Sequence, residues 1–224
     1  MPTAAIVPVK RFGAAKQRLD GALDGDQRES LARAMVADVL AALRACAALA
    51  ATIVVTADER AAAIALECGA LLEPDASESG QSDAVAQGVA RALRDGFRRV
   101  LCVPGDCPTL HPGEVGALLA ASTGPPHDDA CVLIVPDRHG TGTNALLLSP
   151  PDAIAPSFGP DSFTRHRDLA GEAGVTAVVM RPPSLLLDVD TGADLDALRR
   201  RLADAGSRAR ATRAVLAQTA PGQG

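Results

Sequence analysis

The sequence predicts an α/β fold: a single domain with a mostly parallel, mixed sheet flanked by helices. Short apolar runs alternate along the chain with longer segments whose apolar residues recur at helical spacing. The apolar runs also lack polar alternation, which is typical of strands buried on both faces of a sheet. No linker divides the chain, so we expect one domain over residues 1–205 and a basic, partly flexible tail over residues 206–224.

The charge and composition exclude several classes of partner. The 224 residues include 22 Lys and Arg against 27 Asp and Glu, whereas nucleic-acid binding needs a basic face. No apolar run approaches the ~20 residues that span a bilayer. The five cysteines contain no C-x-x-C pair, which is typical of small buried thiols in a reducing compartment. We therefore expect a soluble, cytoplasmic protein with no nucleic-acid or membrane partner.

Periodicity and capping residues predict the helices and strands of the first half of the chain. We expect strands at residues 4–9, 52–56 and 70–72, and a long helix at residues 26–46. Asp58 and Ser82 are predicted to cap two further helices. Gly69 lies where the left-handed residue after a helix belongs.

The second half is interpreted in the same way. We expect strands at residues 100–103, 130–135, 145–148, 176–180 and 185–187, and helices at residues 110–120 and 162–173. Thr109 is predicted to cap the first of these helices. Thr191 is predicted to cap a closing helix, and Asp194 three residues later completes a capping box.

Two acidic residues follow predicted buried strands. Asp106 comes after the turn at Pro104 and Gly105, and Asp188 follows the run at residues 185–187. Ligands bind beyond the carboxyl ends of strands in open α/β sheets, and adjacent strands would bring both carboxylates together. Two carboxylates with open positions suit Mg²⁺. The alternatives are a tight turn for Asp106 and helix capping for Asp188, although Thr191 already fills the capping role.

A basic loop follows the first strand. Residues 10–18 contain four cations and a glycine. Lys10, Lys16 and Arg18 suit a polyphosphate, which charged donors bind through strong hydrogen bonds. The alternative is a solvated basic turn.

Two glycine-rich loops with hydroxyl groups, at residues 140–143 and 159–162, are candidates for anion binding. The second opens a helix, whose N-terminus attracts negative charge. The alternative is that both are ordinary turns. Residues 140–145 also match the loose dinucleotide pattern G-x-G-x-x-A, but a strand follows where that motif needs a helix, and the chain has no P-loop motif.

Residues 165–168 (RHRD) are interpreted as the polar face of a helix, with Arg165 facing the ligand. A metal-binding or catalytic role for His166 is the alternative, and we favour the polar face. No Ser/His/Asp set has a spacing that argues for a covalent mechanism.

Several blocks together resemble one family. They are VPVK at 7–10, AKQRL at 15–19, PGDCP at 104–108, RHGTGTN at 138–144, FGPDSF at 158–163 and DVDT at 188–191. They look like the 2-phospho-L-lactate/phosphoenolpyruvate guanylyltransferases (CofC/FbiD), which act in making the deazaflavin coenzyme F(420). The resemblance spans residues 4 to 200, and the GTGT and FGP-x-S blocks are its specific part.

The resemblance implies a nucleotidyltransferase (GT-A-like) fold, similar to that of molybdopterin guanylyltransferases, over residues 1–205. It also implies GTP as donor, a small phosphorylated carboxylic acid as acceptor, and Mg²⁺ held by Asp106 and Asp188. By the same resemblance, Thr143, Gly159 and Ser162 bind the acceptor's phosphate and carboxylate. We add Arg165 on the acceptor side and assign the nucleotide side and catalysis to Lys10, Lys16, Arg18, Ser82 and Asp106.

Two other readings stay open. One is a nucleotidyltransferase of the same fold with a molybdopterin or sugar-phosphate substrate. The other is a nucleotide-binding module without catalytic activity. The sequence does not distinguish phosphoenolpyruvate, 2-phospho-L-lactate and 3-phosphoglycerate as acceptors, and it predicts no oligomeric state.

Overall fold

The computed structural model describes residues 1–122, 130–204 and 208–219, and it confirms the predicted α/β fold class. In this part of the chain the strands are β1 (Thr3–Val9), β2 (Ala51–Thr56), β3 (Leu71–Pro74), β4 (Arg99–Cys102), β5 (Cys131–Pro136), β6 (Thr143–Ser149) and β7 (Thr176–Val179). The helices are α1 (Gly25–Arg44), α2 (Glu59–Glu67), α3 (Gln81–Arg94), α4 (Pro112–Ala121), α5 (Ser162–Glu172), α6 (Gly192–Asp204) and α7 (Arg210–Gln218). No helix among these residues is long and apolar enough to cross a membrane.

The strands form one mixed sheet in the order β3-β2-β1-β4-β6-β5-β7. β6 is antiparallel to β4 and β5, and the other neighbouring pairs are parallel. The order reverses between β1 and β4, and such a switch point is where α/β sheets bind ligands. Because β6 runs the opposite way and Leu146 pairs with Cys102, its first residues, Thr143 and Asn144, lie at the carboxyl edge of β4.

Helices cover both faces of the sheet. α1, α2 and α4 pack on the face that contains Leu101, and α3 and α5 pack on the face that contains Val100 and Cys102. Successive residues of β4 therefore point into different apolar clusters. This burial on both faces explains why the strands are continuous apolar runs in the sequence.

A third apolar cluster joins the C-terminal helices to α1. Leu31 and Met35 of α1 pack with residues of α6 and α7. The Asp38 carboxylate accepts hydrogen bonds from the backbone N–H groups of Ala211 and Thr212, at 3.1 and 2.8 Å, and so supports the start of α7. The division of the chain at residue 205 stays a prediction, and residues 205–207 and 220–224 lie outside the described part of the tail.

Two of the predicted helix starts are confirmed. Asp58 accepts from the N–H groups of Arg60 and Ala61 at the start of α2. Thr191 and Asp194 form the predicted reciprocal pair: the Asp194 carboxylate accepts from Thr191 N–H at 2.8 Å, and Thr191 Oγ1 accepts from Asp194 N–H at 3.3 Å. These short-range contacts follow from residue type alone.

Two predicted N-caps are wrong. α4 is capped by His111, whose Nδ1 accepts from Gly113 N–H at 2.9 Å, and not by Thr109. The reason is Pro112, which occupies the first helical position and leaves the cap to the residue before it. α3 begins after Gly80, so Ser82 lies inside its first turn.

The predicted strand at residues 185–187 is also wrong. The structure has a 3-10 turn at Pro183–Leu185. The fixed φ angles of Pro182 and Pro183 favour a turn just before the predicted strand. The Leu185 carbonyl accepts from the Asn144 side chain at 2.8 Å and not from a neighbouring strand. Asp188 therefore reaches the sheet edge on a loop.

Candidate active site

A cleft of about 900 Å³ opens at the switch point between β1 and β4. Most of the predicted site residues line it: Lys10, Lys16, Arg18, Asp106, Thr143, Gly159, Ser162 and Asp188. Asp190, to which the sequence analysis assigned no role, also lines the cleft, whereas Ser82 and Arg165 contact the loop behind it. The loops at the sheet edge thus bring together most of the predicted set.

Lys16 forms the centre of an ion-pair group. Its Nζ lies 2.5 Å from Asp106 Oδ2 and 2.8 Å from Asp190 Oδ1, and only 9% of its side chain is exposed. Burial lowers the pKa of Lys16, but the charges of both carboxylates and their hydrogen bonds together raise it above the ordinary value. The ammonium group is therefore charged at neutral pH. Its backbone has φ 58°, a left-handed conformation that is uncommon for a residue other than glycine.

Asp106 has one oxygen to spare. Its Oδ2 binds Lys16, while its Oδ1 is buried and has no hydrogen-bond partner among the described residues. Buried polar atoms are almost always paired in folded proteins. An orphaned carboxylate oxygen in a cleft therefore fits a cation or a ligand donor as its partner.

Asp188 is held by Asn144 of β6. The Asn144 Nδ2 donates to Asp188 Oδ1 at 3.1 Å and to the Leu185 carbonyl at 2.8 Å. Both partners only accept, which sets the orientation of the amide. Burial and the nearby charge of Asp106 raise the pKa of Asp188, while the Asn144 hydrogen bond lowers it in part. A cation between the two carboxylates would relieve this repulsion.

The described residues contain no cluster of three or more His, Cys, Asp or Glu side chains positioned to bind a metal ion unaided. Mg²⁺ does not need one, because it is commonly held by one or two carboxylates together with water and substrate phosphates. Asp106 and Asp188 fit that donor set, and the unpartnered Oδ1 of Asp106 is the observation in its favour.

The other cations of the basic loop differ in whether they are paired. Arg11 pairs with Glu78 at the rim, where Nε lies 2.7 Å from Oε2. Lys10 and Arg18 are exposed cations that line the cleft. Arg11 also lines the cleft, so the loop presents three exposed cations, one of them paired with Glu78, and the nearly buried Lys16 to the same space.

The two glycine-rich loops meet. The backbone N–H of Phe163 donates to the carbonyl of Thr141 at 3.1 Å, which joins the start of α5 to the loop before β6. Ser162 opens α5 and is 1% exposed, and its N–H donates to the carbonyl of Gly159 at 3.1 Å. Gly159 has φ 107°, a conformation that favours glycine. One continuous pocket wall results.

Arg165 faces the loop at residues 157–160 and not the cleft. Its guanidinium donates to the hydroxyl and carbonyl of Ser157 and to the carbonyls of Phe158 and Pro160. Ser82 Oγ accepts from Phe158 N–H at 2.8 Å. Partly buried backbone groups need hydrogen-bond partners. Arg165 and Ser82 supply such partners to the loop at residues 157–160 and so hold it in place. Ligand-binding roles for Arg165 and Ser82 stay predictions without direct support from this geometry.

His166 is not on a polar face, contrary to the sequence interpretation. It is 0% exposed, and its ring packs edge-on against Phe158 with ring centroids 5.1 Å apart. Nε2 accepts from Ser157 N–H at 2.9 Å, and Nδ1 lies 3.0 Å from Thr143 Oγ1. Burial, and then the charge of Arg165, lower its pKa to about 4, so the ring is neutral near pH 7.

Sequence reasoning missed three residues here: Asn144, His166 and Asp190. Asn144 and Asp190 belong to blocks that the analysis had singled out, so a signal existed for them. For His166 no signal existed, because a histidine flanked by two arginines is typical of a solvated helix face.

The fold with this strand order is that of solved nucleotidyltransferases. A solved protein described as a putative nucleotide-diphospho-sugar transferase from Desulfovibrio desulfuricans G20 matches with a TM-score of 0.77 at 19% identity, covering 97% of this chain and 95% of that one. CMP:2-keto-3-deoxy-manno-octonic acid synthetase complexed with CTP matches with a TM-score of 0.62 at 14% identity, covering 91% and 99%. Both likenesses show the fold.

The family follows from closer matches. A family model described as "Guanylyl transferase CofC like" matches residues 3–208. "Phosphoenolpyruvate guanylyltransferase" of Conexibacter woesei is 49% identical over 218 residues, covering 97% of this chain and 96% of that protein. The protein of the same name in Sphaerobacter thermophilus is 38% identical over 200 residues, covering 88% and 93%. The chain belongs to the CofC-like guanylyl transferase family, which confirms the predicted membership.

Proposed function

We propose that this guanylyltransferase moves GMP from GTP to the phosphate of phosphoenolpyruvate and releases diphosphate. The reaction belongs to the biosynthesis of the deazaflavin coenzyme F(420) and takes place in the cytoplasm. The observation that carries the proposal is the cleft itself: carboxylates and cations line one part, and hydroxyls with a glycine loop line another. The names of the relatives from Conexibacter woesei and Sphaerobacter thermophilus support the choice of acceptor.

Asp106 and Asp188 are the residues that would hold Mg²⁺. The unpartnered Oδ1 of Asp106 and the raised pKa of Asp188 both favour a cation beside them. When bound, Mg²⁺ neutralises negative charge on the transferring phosphoryl group. Asn144 keeps the Asp188 carboxylate oriented toward this position.

The cations of the basic loop orient the triphosphate. Lys16 is charged and nearly buried, and Lys10 and Arg18 are exposed cations that line the same cleft. Phosphate oxygens accept strong charge-assisted hydrogen bonds from such groups. Catalysis of phosphoryl transfer rests mainly on this kind of alignment and charge neutralisation.

The nucleophile is an oxygen of the acceptor's phosphate. It attacks the α-phosphorus of GTP, a new P–O bond forms, and the bond between the α-phosphorus and the bridging oxygen breaks as diphosphate leaves. Because the second pKa of a phosphate monoester is ~6, this oxygen is already ionised near neutral pH. No general base is required, and His166 is unsuited to that role because both of its ring nitrogens are engaged.

Thr143, Gly159 and Ser162 bind the acceptor. Thr143 offers a hydroxyl, Gly159 allows the backbone to approach closely, and Ser162 adds a hydroxyl at the N-terminus of α5. A small phosphorylated carboxylate carries about three charges, so it needs several donors in addition to a cation.

The test is product analysis by mass spectrometry. The protein is incubated with Mg²⁺, one of four nucleoside triphosphates, and phosphoenolpyruvate, 2-phospho-L-lactate or 3-phosphoglycerate, together with the next pathway enzyme to trap labile products. The expected result is a guanylylated phosphoenolpyruvate adduct and diphosphate from GTP. Preference for another triphosphate would favour a different nucleotidyltransferase activity. GTP binding without diphosphate release would favour a catalytically idle module.

A further inference from the structure

Ser157, His166 and Thr143 form a hydrogen-bonded relay, centred on the buried His166 ring, behind the proposed acceptor pocket. Nε2 of His166 lies 2.9 Å from the backbone nitrogen of Ser157, whose N–H donates to it. A backbone N–H cannot accept a hydrogen bond, so Nε2 must carry no proton. A neutral imidazole with an accepting Nε2 has its proton on Nδ1. The backbone of one loop therefore sets the tautomer of this ring.

The tautomer in turn sets the direction of a hydroxyl. Nδ1 lies 3.0 Å from Thr143 Oγ1, and since Nδ1 carries the proton, the histidine donates and the threonine oxygen accepts. The Thr143 hydroxyl hydrogen is then turned away from the ring. Thr143 lines the cleft, so this hydrogen is available to an acceptor atom there.

Arg165 holds the start of this relay. It donates to the hydroxyl of Ser157 at 2.9 Å and to the Ser157 carbonyl at 3.0 Å, which keeps the Ser157 backbone in place. The Phe158 ring closes the other side of the imidazole. In each hydrogen bond that links Arg165, Ser157, His166 and Thr143, a donor faces an acceptor. The assigned proton positions are therefore mutually consistent.

We propose that His166 is a positioning residue that makes Thr143 an obligate hydrogen-bond donor to an anionic oxygen of the acceptor. This role rests on the proposed function, in which Thr143 contacts the phosphorylated acid. It goes further by assigning acceptor affinity to a buried side chain that does not touch the substrate.

Two amide variants, each of which mimics one ring nitrogen, separate the functions of the two nitrogens. The terminal amide of His166→Gln reaches the Nε2 position and accepts from Ser157, but nothing donates to Thr143. His166→Asn places an amide N–H near the Nδ1 position and restores that donor. We expect His166→Gln to raise the acceptor KM about tenfold, as for one lost hydrogen bond to a charged group, with an unchanged Kd for GTP. His166→Asn is expected to recover at least threefold of that loss.

A purely structural role gives a different pattern. Under that role His166→Asn brings no recovery, and in both variants the acceptor KM and the GTP Kd change together. A double-mutant cycle adds a second criterion: in a Thr143→Val background, His166→Gln should have no further effect on acceptor KM. An additive effect overturns the proposal. Asp168→Asn, an exposed position on the same helix, is the control.

Nitrogen-15 NMR of the wild-type protein tests the tautomer without any turnover. The His166 signals, assigned by their loss in His166→Gln, should show a protonated Nδ1 and an unprotonated Nε2 at pH 7. A protonated Nε2 overturns the proposal even if neither variant changes the acceptor KM. If the tautomer is as expected but no acceptor is guanylylated, the proposed function is wrong. The hydrogen-bond arrangement of Ser157, His166 and Thr143 still stands in that case.

Discussion

The backbone N–H of Val189 donates to the carbonyl oxygen of Asp106 at 3.2 Å. This single hydrogen bond ties the loop before α6 to the turn after β4. Beside it the carboxylates of Asp106, Asp188 and Asp190 line one cleft, where Lys16 is the cation that pairs with Asp106 and Asp190. Three carboxylates against the one ammonium group that pairs with two of them leave an excess of negative charge around Lys16, which favours a further cation. Lys10 and Arg18 line the same cleft but are exposed, so solvent screens their charges.

Removal of either proposed metal ligand is expected to slow the enzyme. Asp106→Asn and Asp188→Asn keep the side-chain shape but remove the charge, and each should lower turnover by at least the ~10–100-fold known for losses around metal sites. The measurement is the rate of diphosphate release across a Mg²⁺ titration. Asp168→Asn is the control for a lost exposed carboxylate. Wild-type rates in either variant at low Mg²⁺ would contradict the assignment.

Loss of the buried cation is expected to weaken GTP binding. Lys16→Ala removes a charged group that is 9% exposed in the cleft, and each hydrogen bond from such a group to a phosphate contributes roughly 1.5–3 kcal/mol. Calorimetry should show GTP affinity reduced by at least tenfold in Lys16→Ala, with a smaller loss in Lys10→Ala. Arg33→Ala, an exposed cation of α1, should bind GTP as the wild type does. Unchanged affinity in both lysine variants would make the basic loop a solvated turn.

Substitutions in the proposed acceptor pocket are expected to change the acceptor KM without changing the affinity for GTP. Ser162→Ala and Thr143→Val each remove one donor, and a loss of roughly 1.5–3 kcal/mol corresponds to one to two orders of magnitude in acceptor KM. Gly159→Val should abolish acceptor use, because φ 107° strains a β-branched residue. Product formation is measured against acceptor concentration at saturating GTP. If GTP affinity falls instead and acceptor KM holds, the two halves of the site are reversed.

Packing of α3 on the sheet depends on Gly88. A Cβ at this position would lie 2.5 Å from Ile6 Cγ2 and 3.1 Å from Val55 Cγ2. Gly88→Ala should therefore lower the free energy of unfolding by about 1–3 kcal/mol through overpacking. A Cβ at Gly116 in α4 would meet no described atom within 4 Å, so Gly116→Ala should raise the free energy of unfolding by up to ~1 kcal/mol. Urea denaturation of both variants checks the sign, and equal effects would refute the close approach.

Acid is expected to destabilise the fold through His166. The unfolded chain takes up a proton near pH 6.5, whereas the folded chain resists it until about pH 4 because of burial and the charge of Arg165. This contribution is therefore complete above pH 6.5 and is lost as the pH falls toward 4, by an amount on the order of 3 kcal/mol. The difference in unfolding free energy between the wild type and His166→Gln should shrink over that range. A difference that is constant with pH would contradict the lowered pKa.

Much of the fold could be predicted because its signals are local. A strand buried on both faces must be a continuous apolar run, as at residues 100–103 and 145–148, and an N-cap such as Asp58 or Thr191 needs only its own side chain and the next turn. The failures are local too: Pro112 moved a cap to His111, and Pro183 starts a 3-10 turn that runs into the predicted strand at residues 185–187.

The sequence by itself therefore determined the α/β class, most element positions and the residue types of the site. Only the tertiary structure decided which charges meet, because Lys16 is separated from Asp106 by 90 residues and from Asp190 by 174. The same holds for His166, which the packing of α5 turns inward against Thr143 and Ser157. Its polarity, tautomer and pKa depend on desolvation and on partners from other loops, and these physical quantities exist only once the chain has folded.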